Sequence, residues 1–528
     1  MIKKINRFQG LRGFFIVIFF MLSVRLYFLQ VMPTEKVQAN YTNHQTELIS
    51  DMKYMLLDTN GKDLNNYNKD YVIVIDSKPF KLNNYGEALQ GLLAFNFIMK
   101  EEISTFSFND IMKVPHGKSY YKVSKETFDK VKEIKNVKGV YTYIYDKKDT
   151  KDAWSIDGMF SNLDKVEAKE NTLDYNLQSQ IKDNELPSVN FYRDSNTVYS
   201  SKGLVENEKN KNIKLTIDKE IDEKIKKVLL DEKYSKYDNI SVMLLETETG
   251  KIRAMNQKDE SYPNINLGME GIGYEPGSIY KLLTYGAALE EGVITPNTMF
   301  KCKLKKCKNT YHGNISAKNA LIKSCNDAFG EIGEQIGSKK LIEYAKKLGL
   351  YSRVLDIESK NKKEAVGTFK EEDAGIDNLA IGQSMTVTPI QMIGAINTFL
   401  NNGVYVKPQI VENILDSNEK NVTEYKIDKK IVFSNLTSSM VKEGMKDVVL
   451  YGTGEKAKVD GKTIYGKTGS GTFLDKTHCW FIGGFELNGK SYTMNILVPN
   501  VPEDGENSIG GGTVAAPIFS HIVSELSK

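Results

Sequence analysis

Cysteine and histidine are scarce in this chain. Four cysteines in 528 residues exclude a scaffold built on disulfides. The five histidines, His44, His116, His312, His478 and His521, are scattered without the ligand spacing of a zinc site, so no metal and no cofactor is expected. An excess of charge of one sign is also missing: 71 Lys plus Arg stand against 68 Asp plus Glu, and a net +3 offers little to a nucleic-acid backbone. No internal repeat is found. With 40% hydrophobic and 26% charged residues the chain is neither disordered nor polytopic, and a sizeable core can form. At about 150 residues per domain, its length calls for at least two domains.

There is one long apolar run. Residues 13–32 (GFFIVIFFMLSVRLYFLQVM) carry a single charge, Arg25, over 20 positions, and about 20 apolar residues cross a bilayer as a helix. Lys3, Lys4, Arg7 and Arg12 precede it with no acidic residue among them. The positive-inside rule then makes residues 1–12 a cytoplasmic tail and puts the chain after 32 outside the cell membrane. Ser23-Val24-Arg25 is no small-x-small cleavage site, so an uncleaved single-pass anchor is expected in place of a signal peptide. Arg25 should snorkel toward the outer surface.

Residues 33–210 are rich in Asn, Lys, Asp and Tyr, with short alternating strands such as Tyr71-Val72-Ile73-Val74-Ile75 and no catalytic constellation. The polar run Glu206–Asn212 (ENEKNKN) reads as a linker, and a domain boundary is expected near 211. Beyond it come a strand at Ile213–Ile217, a helix over Asp218–Leu230, a strand at Ile240–Glu246, a turn at Glu248-Thr249-Gly250 and another strand. Strands and helices mix without regular alternation, which favours an α+β fold over a doubly wound one.

The chemistry is carried by three short motifs in order. Ser278-Ile279-Tyr280-Lys281 follows Pro276-Gly277 and opens an apolar stretch with helical spacing (Leu282, Leu283, Ala287, Ala288, Leu289). Residues i and i+3 share a helix face, so a neutral Lys281 could take the proton of Ser278, and the helix amino terminus favours the developing negative charge. Ser-x-x-Lys alone means little, since it recurs at Ser50, Ser119, Ser179, Ser359, Ser417 and Ser439. What sets Ser278 apart is Ser324-Cys325-Asn326, 324 − 278 = 46 residues on, and Lys467-Thr468-Gly469, a further 467 − 324 = 143. Lys-Thr-Gly occurs once, in a strand-like setting ending at Ser470. Gly469 would let a ligand backbone lie against the strand edge, Lys467 could meet a carboxylate, and the following N–H could face an oxyanion.

With this trio the chain resembles the penicillin-binding proteins and serine β-lactamases. Tyr274-Glu275-Pro276-Gly277-Ser278, His312-Gly313, Ile381-Gly382-Gln383, Thr388-Pro389-Ile390-Gln391 and Trp480-Phe481-Ile482-Gly483 narrow the likeness to the class B penicillin-binding proteins. So do Leu215-Thr216-Ile217-Asp218 and Ala515-Ala516-Pro517-Ile518-Phe519, near the two ends of the stretch 211–528. The resemblance implies an α+β transpeptidase domain at 211–528, an antiparallel sheet flanked by helices. It is carried on an elongated extracytoplasmic pedestal at 33–210, similar to the dimerisation domain of these proteins. It also implies a peptidoglycan D,D-transpeptidase that cross-links stem peptides ending in D-Ala-D-Ala through a serine acyl-enzyme, and a target of β-lactam antibiotics. By position, Ser278 would be the acylated nucleophile, Lys281 its base, and Ser324 and Asn326 the proton relay and substrate positioners. Lys467, Thr468, Gly469 and Ser470 would bind the substrate carboxylate and backbone, with the N–H groups of Ser278 and Ser470 as the oxyanion hole.

The resemblance also sets the rivals. A β-lactamase or β-lactam sensor shares the trio, but no Glu-x-x-Leu-Asn segment supplies a deacylating base. A D,D-carboxypeptidase differs only in the acceptor, and a catalytically silent scaffold of the wall-building machinery is suggested by an eroded pedestal motif. That motif, Arg-Gly-x-Ile-x-Asp-Arg-x-Gly in the family, keeps only its last part in Lys53-Tyr54-Met55-Leu56-Leu57-Asp58-Thr59-Asn60-Gly61, which weakens the case for a membrane glycosyltransferase partner. Ser470 stands where the family often has Thr, and Thr472 where it has Glu or Gln. Neither a glycosyltransferase domain nor a carboxy-terminal β-lactam-sensing repeat is found. Cys302 and Cys307 bracket four residues, and a disulfide-closed loop and free thiols are both open. Cys325, between two polar residues with roles of their own, is read as packing beneath the site.

Overall fold

The structure is a computed structural model, which describes residues 7–31, 44–84, 86–114, 116–149, 153–194, 197–269, 271, 273–307, 310–360, 362–369, 375–473, 475–502 and 509–528. Residues 1–6 of the expected tail and Met32 of the expected anchor lie outside them. A helix spans Arg7–Val31, with Phe19 and Phe20 more than two-thirds exposed. Among the described residues no helix is long and apolar enough to cross a membrane.

The rest divides into two compact units. The first takes in 67–148 and 185–207 with the chain before 54. Its organising strand is Tyr67–Asp76, paired antiparallel to Lys118–Val123 and to Val140–Lys148. Side chains alternate across a strand, and here both faces are apolar. Ile73 and Ile75 meet Phe95 and Met99 of the helix Leu89–Glu102, while Val72 and Val74 meet Val189, Phe191 and Tyr199 of a second antiparallel sheet. The expected strand at 71–75 is therefore a buried two-faced one.

The second unit, 54–66, 149–184 and 208–528, is built on a five-stranded antiparallel sheet. Its order is Ile252–Gln257, Ser241–Glu246, Lys490–Pro502, Lys476–Leu487, Tyr465–Phe473, which leaves Tyr465–Phe473 at an edge. On one face Val242, Leu244, Phe481, Met494 and Ile496 pack with Ile225 and Leu229 of the helix Lys219–Leu229 and with Ile518, Phe519 and Ile522 of the helix Ala515–Leu526. Each such fully buried side chain contributes about 1.5–3 kcal/mol of hydrophobic stabilisation. Thr493, between Tyr492 and Met494 in the strand and so on the opposite face, donates its hydroxyl to Asn397 of the helix Pro389–Leu400 at 2.6 Å. The sheet is thus sandwiched between helices.

The elements expected around 213–257 are present: a strand at Lys211–Leu215, a helix Lys219–Leu229 capped by Asp218, and strands Ser241–Glu246 and Ile252–Gln257. The division of the chain differs from a single cut at 210, because 54–66 and 149–184 belong to the second unit. Leu56–Leu57 pair in parallel with Ile213 and Lys214. The fully buried Asp58 carboxylate accepts N–H groups of Asn60, Lys62 and Lys219 at 2.8, 2.7 and 3.2 Å. Asn184 exchanges two hydrogen bonds with the backbone of Lys211, and Tyr54 donates its hydroxyl to the Phe160 carbonyl at 2.7 Å. The surviving end of the pedestal motif thus has a structural task within the second unit.

Candidate active site

Ser278 lies in a single 3-10 turn, Gly277–Ile279, that runs into the helix Lys281–Glu290. Leu282, Leu283, Ala287 and Ala288 of that helix are fully buried, so the apolar stretch anchors the serine turn from below. Gly277 adopts φ +53°, and a Cβ there would stand 2.3 Å from the Ser470 carbonyl oxygen. Glycine is required twice over, by conformation and by contact. The Gly277 N–H donates to the Gly382 carbonyl at 2.9 Å, and Gly382, at φ +78°, is itself pressed against Gly277. Gly277→Ala is expected to destabilise the fold by about 1–3 kcal/mol through strain and overpacking. A thermal melt checks this, and an unchanged melting temperature would mean the turn can move off Ser470 freely.

Glu275 ties the same turn to its surroundings. Its carboxylate accepts the N–H groups of Ser384 at 2.8 Å and Thr472 at 2.9 Å, and its carbonyl accepts the indole N–H of Trp480 at 3.0 Å. Thr388 and Gln391 form a capping box that starts the helix Pro389–Leu400. Several residues that carried the family likeness outside the trio are therefore struts of the serine turn and of its neighbours.

The two lysines converge on the second motif. Lys281, completely buried, donates to the Ser324 carbonyl at 2.7 Å, to Ser324 Oγ at 3.1 Å and to Asn326 Oδ1 at 2.6 Å. Lys467, also buried, donates to Ser324 Oγ at 3.1 Å from the other motif and to the Thr468 carbonyl at 3.0 Å. Ser324 can present its hydroxyl to both because it closes the helix Ala317–Lys323 in the left-handed region, at φ 56° and ψ 40°. Burial lowers Lys281 to about 7, with the nearby Cys307 and Cys325 opposing it, and burial together with the charge of Lys281 holds Lys467 well below its ordinary value. A buried ammonium without a carboxylate partner loses more by desolvation than neutral hydrogen bonds return.

The strand Tyr465–Phe473 brings Thr468, Gly469 and Ser470 alongside. Thr468 Oγ1 lies 2.6 Å from Thr453 Oγ1, and Ser470 Oγ accepts the Gly511 N–H at 3.2 Å. A Cβ on Gly469 would stand 2.6 Å from the Pro276 carbonyl, so this glycine serves the fit of strand to serine turn as well as leaving space for a ligand. Ser278, Ser324, Thr468 and Ser470 line one cleft of about 440 Å³, and Ser324 and Asn326 line a second of about 1100 Å³. Every site residue expected from the sequence falls within this one neighbourhood.

Some neighbours had no sequence signal. Thr453 and the turn at Gly510–Thr513 line the first cleft, yet neither sits in a patterned motif. The cysteines are free and buried, so Cys302 and Cys307 are not bridged. Burial pushes the Cys325 thiol up to about 12, which makes it a poor nucleophile. Less expected is its company: Cys302, Cys307, His312 and Cys325 each offer one ligand-type atom, and all four lie within 4.8 Å of one another.

An edge strand with a buried lysine, a serine turn and a bridging Ser-x-Asn segment meet in this one place. Residues 240–524 match the family described as penicillin binding protein transpeptidase domain, more than half of the chain, and the chain belongs to that family. It is 30% identical over 351 residues to Stage V sporulation protein D of Bacillus subtilis, covering 59% of this chain and 53% of that protein. It is 26% identical over 327 residues to the peptidoglycan D,D-transpeptidase PbpA of Mycolicibacterium smegmatis, covering 53% and 65%. The chain spans about half the length of the curated relatives it matches first. Among solved structures, penicillin binding protein 2X of Streptococcus thermophilus has TM-score 0.66 at 15% identity, covering 91% of this chain and 81% of that one. Penicillin binding protein 3 of Mycobacterium tuberculosis, complexed with ampicillin, has TM-score 0.52 at 24% identity, covering 61% and 79%. These two likenesses show the α+β transpeptidase fold.

Proposed function

We propose that the protein is a class B peptidoglycan D,D-transpeptidase acting through a Ser278 acyl-enzyme. The observation that carries this is the buried Lys281 amine, held by Ser324 and Asn326 under the serine turn with Lys467 on the far side of the same hydroxyl. An amine lowered to about 7 is part neutral at working pH and can accept a proton. In the reaction, Ser278 Oγ attacks the penultimate D-Ala carbonyl of a stem peptide and its proton passes to Lys281. The C–N bond then breaks, and the terminal D-Ala leaves with a proton relayed through Ser324. The N–H groups of Ser278 and Ser470 would hold the oxyanion. Lys467 and Thr468 would take the substrate carboxylate, and the edge strand would pair with its backbone beside Gly469 and Ser470. The amine of a second stem peptide resolves the ester, returning the proton to Ser278. No cofactor takes part in these steps.

β-Lactams would acylate the same serine, as the naming of the relatives and the ampicillin complex of one neighbour support. Glu275, a carboxylate touching the edge strand, is engaged by two backbone N–H groups and so is poorly placed to activate a deacylating water. A fluorescent penicillin should therefore label the protein with a long-lived adduct. Rapid turnover of the label would point to a β-lactamase, and no labelling of folded protein to a silent scaffold.

The reading includes a single-pass anchor at 13–32, supported by the apolar run, the basic residues before it and the exposed apolar side chains of the helix Arg7–Val31. The catalytic part would then work outside the cell membrane, while the eroded motif at 53–61 weakens the case for contact with a membrane glycosyltransferase. Replacing 13–32 by a cleavable signal sequence should release a soluble exported protein that still binds penicillin. Loss of labelling in a folded soluble form would contradict the separation of anchor from chemistry.

A further inference from the structure

We infer that Cys302, Cys307, His312 and Cys325 form a structural zinc site that fastens the Ser324-Cys325-Asn326 segment in place. The four ligand atoms lie within 4.8 Å of one another, and the sulfurs of Cys307 and Cys325 are 3.5 Å apart. Tetrahedral zinc with bonds of about 2.3 Å to sulfur holds its sulfurs about 3.8 Å apart, so an adjustment of about 1 Å separates this cluster from a closed site. Three thiolates and an imidazole are the ligands that a soft, four-coordinate zinc centre takes, and a site with no open position is structural.

The surroundings are those of a ligand set rather than of an apolar core. All three cysteines are buried, and His312 Nδ1 is a buried ring nitrogen with no hydrogen-bond partner among the described residues. Cys307 Sγ accepts the Asn326 N–H at 3.1 Å, the kind of amide contact that stabilises a thiolate. Cys325 caps the 11-residue helix Asn326–Ile336, where the backbone field favours negative charge. The Asp327 carboxylate accepts the N–H groups of Lys303, Lys305 and Lys306 at 2.6, 3.2 and 2.6 Å, folding the segment between the first two cysteines around the cluster. The Cys302 thiol, 3.5 Å from Asp327 Oδ2, would give up its proton to solvent as the metal binds. His312 and Cys307 line the larger cleft, which provides an entry path.

The spacing, Cys-x4-Cys-x4-His-x12-Cys, places three ligands on one segment and the fourth at the centre of the second motif. The metal would tie Ser324 and Asn326, both hydrogen-bonded to Lys281, to the 302–312 segment. Its role would be to position these residues and not to touch substrate.

The test is metal analysis of the purified full chain from zinc-replete cells, prepared reduced and without chelator. About one zinc per chain is expected, falling to under about a tenth in Cys302→Ser and in His312→Ala. Cobalt added to the chelated, reduced protein should give thiolate-to-cobalt charge-transfer absorption and the visible bands of a tetrahedral centre. That readout needs only the natural sequence, so it stands even where a variant fails to fold. Folded protein with no stoichiometric metal and no charge-transfer band, or a Cys307–Cys325 disulfide found by mass spectrometry, would overturn the proposal. Chelation should slow penicillin acylation about tenfold or more, with recovery on adding zinc; an unchanged rate after full removal would overturn the positioning role. Absence of all labelling would count against the transpeptidase reading and leave the metal measurements to decide this one.

Discussion

The acylation rate of Ser278 is expected to rise with pH through a midpoint near 7 and to collapse in Lys281→Arg. Lys281 is lowered to about 7 by burial, against the opposing pull of Cys307 and Cys325. Below that value the ammonium cannot take the serine proton; above it the amine is free to do so. Arginine stays protonated throughout, so the variant should lose about 10²–10⁴-fold, the range general-base catalysis supplies, and lose the pH dependence as well. The same lowering has a stability consequence. Between about 7 and the ordinary lysine value of about 10.4 the unfolded chain holds a proton that the folded one does not, so this group makes stability rise with pH across that window. Second-order acylation rates of both forms from about pH 5 to 10 decide the matter. Substantial acylation by the arginine variant would mean that Lys281 only donates a hydrogen bond.

Ser278→Ala should abolish the covalent penicillin adduct outright while leaving the fold intact. The hydroxyl supplies the acylated atom, but the turn is shaped by Gly277, Glu275 and the buried helix behind it, none of which the substitution touches. Intact-mass measurement with peptide mapping checks this. An adduct persisting on the variant, or mapped to Ser119 or Ser439, would move the site elsewhere.

Ser278, Lys281, Ser324, Asn326 and Lys467–Ser470, which the structure gathers in one neighbourhood, could be singled out because the proposed acyl transfer needs those residue types and an ordered trio rarely arises by chance. The helix behind the serine was legible from Leu282, Leu283, Ala287 and Ala288, and a strand from the run at 71–75, though it was read as alternating and is buried on both faces. The assignment of 54–66 and 149–184 was not. It depends on a two-residue parallel pairing at Leu56–Leu57 and on single contacts such as Tyr54 with Phe160, too short or too distant in sequence to leave a period. The charge balance at Lys281 was also only half visible. Burial follows from the apolar helix, whereas the opposing sulfurs come from Cys307, in a separate segment, and from Cys325, which the left-handed turn at Ser324 precedes. That turn makes a cluster of residues whose spacing, read along the chain, suggested no ligand set.

The central claim, acyl transfer from a stem peptide to an amine, is tested most directly by incubating the purified protein with pentapeptide-bearing glycan and separating the products. Cross-linked dimers should appear with release of one D-Ala per link, and penicillin should block both. D-Ala release with only tetrapeptide monomers would make water the acceptor and contradict the account.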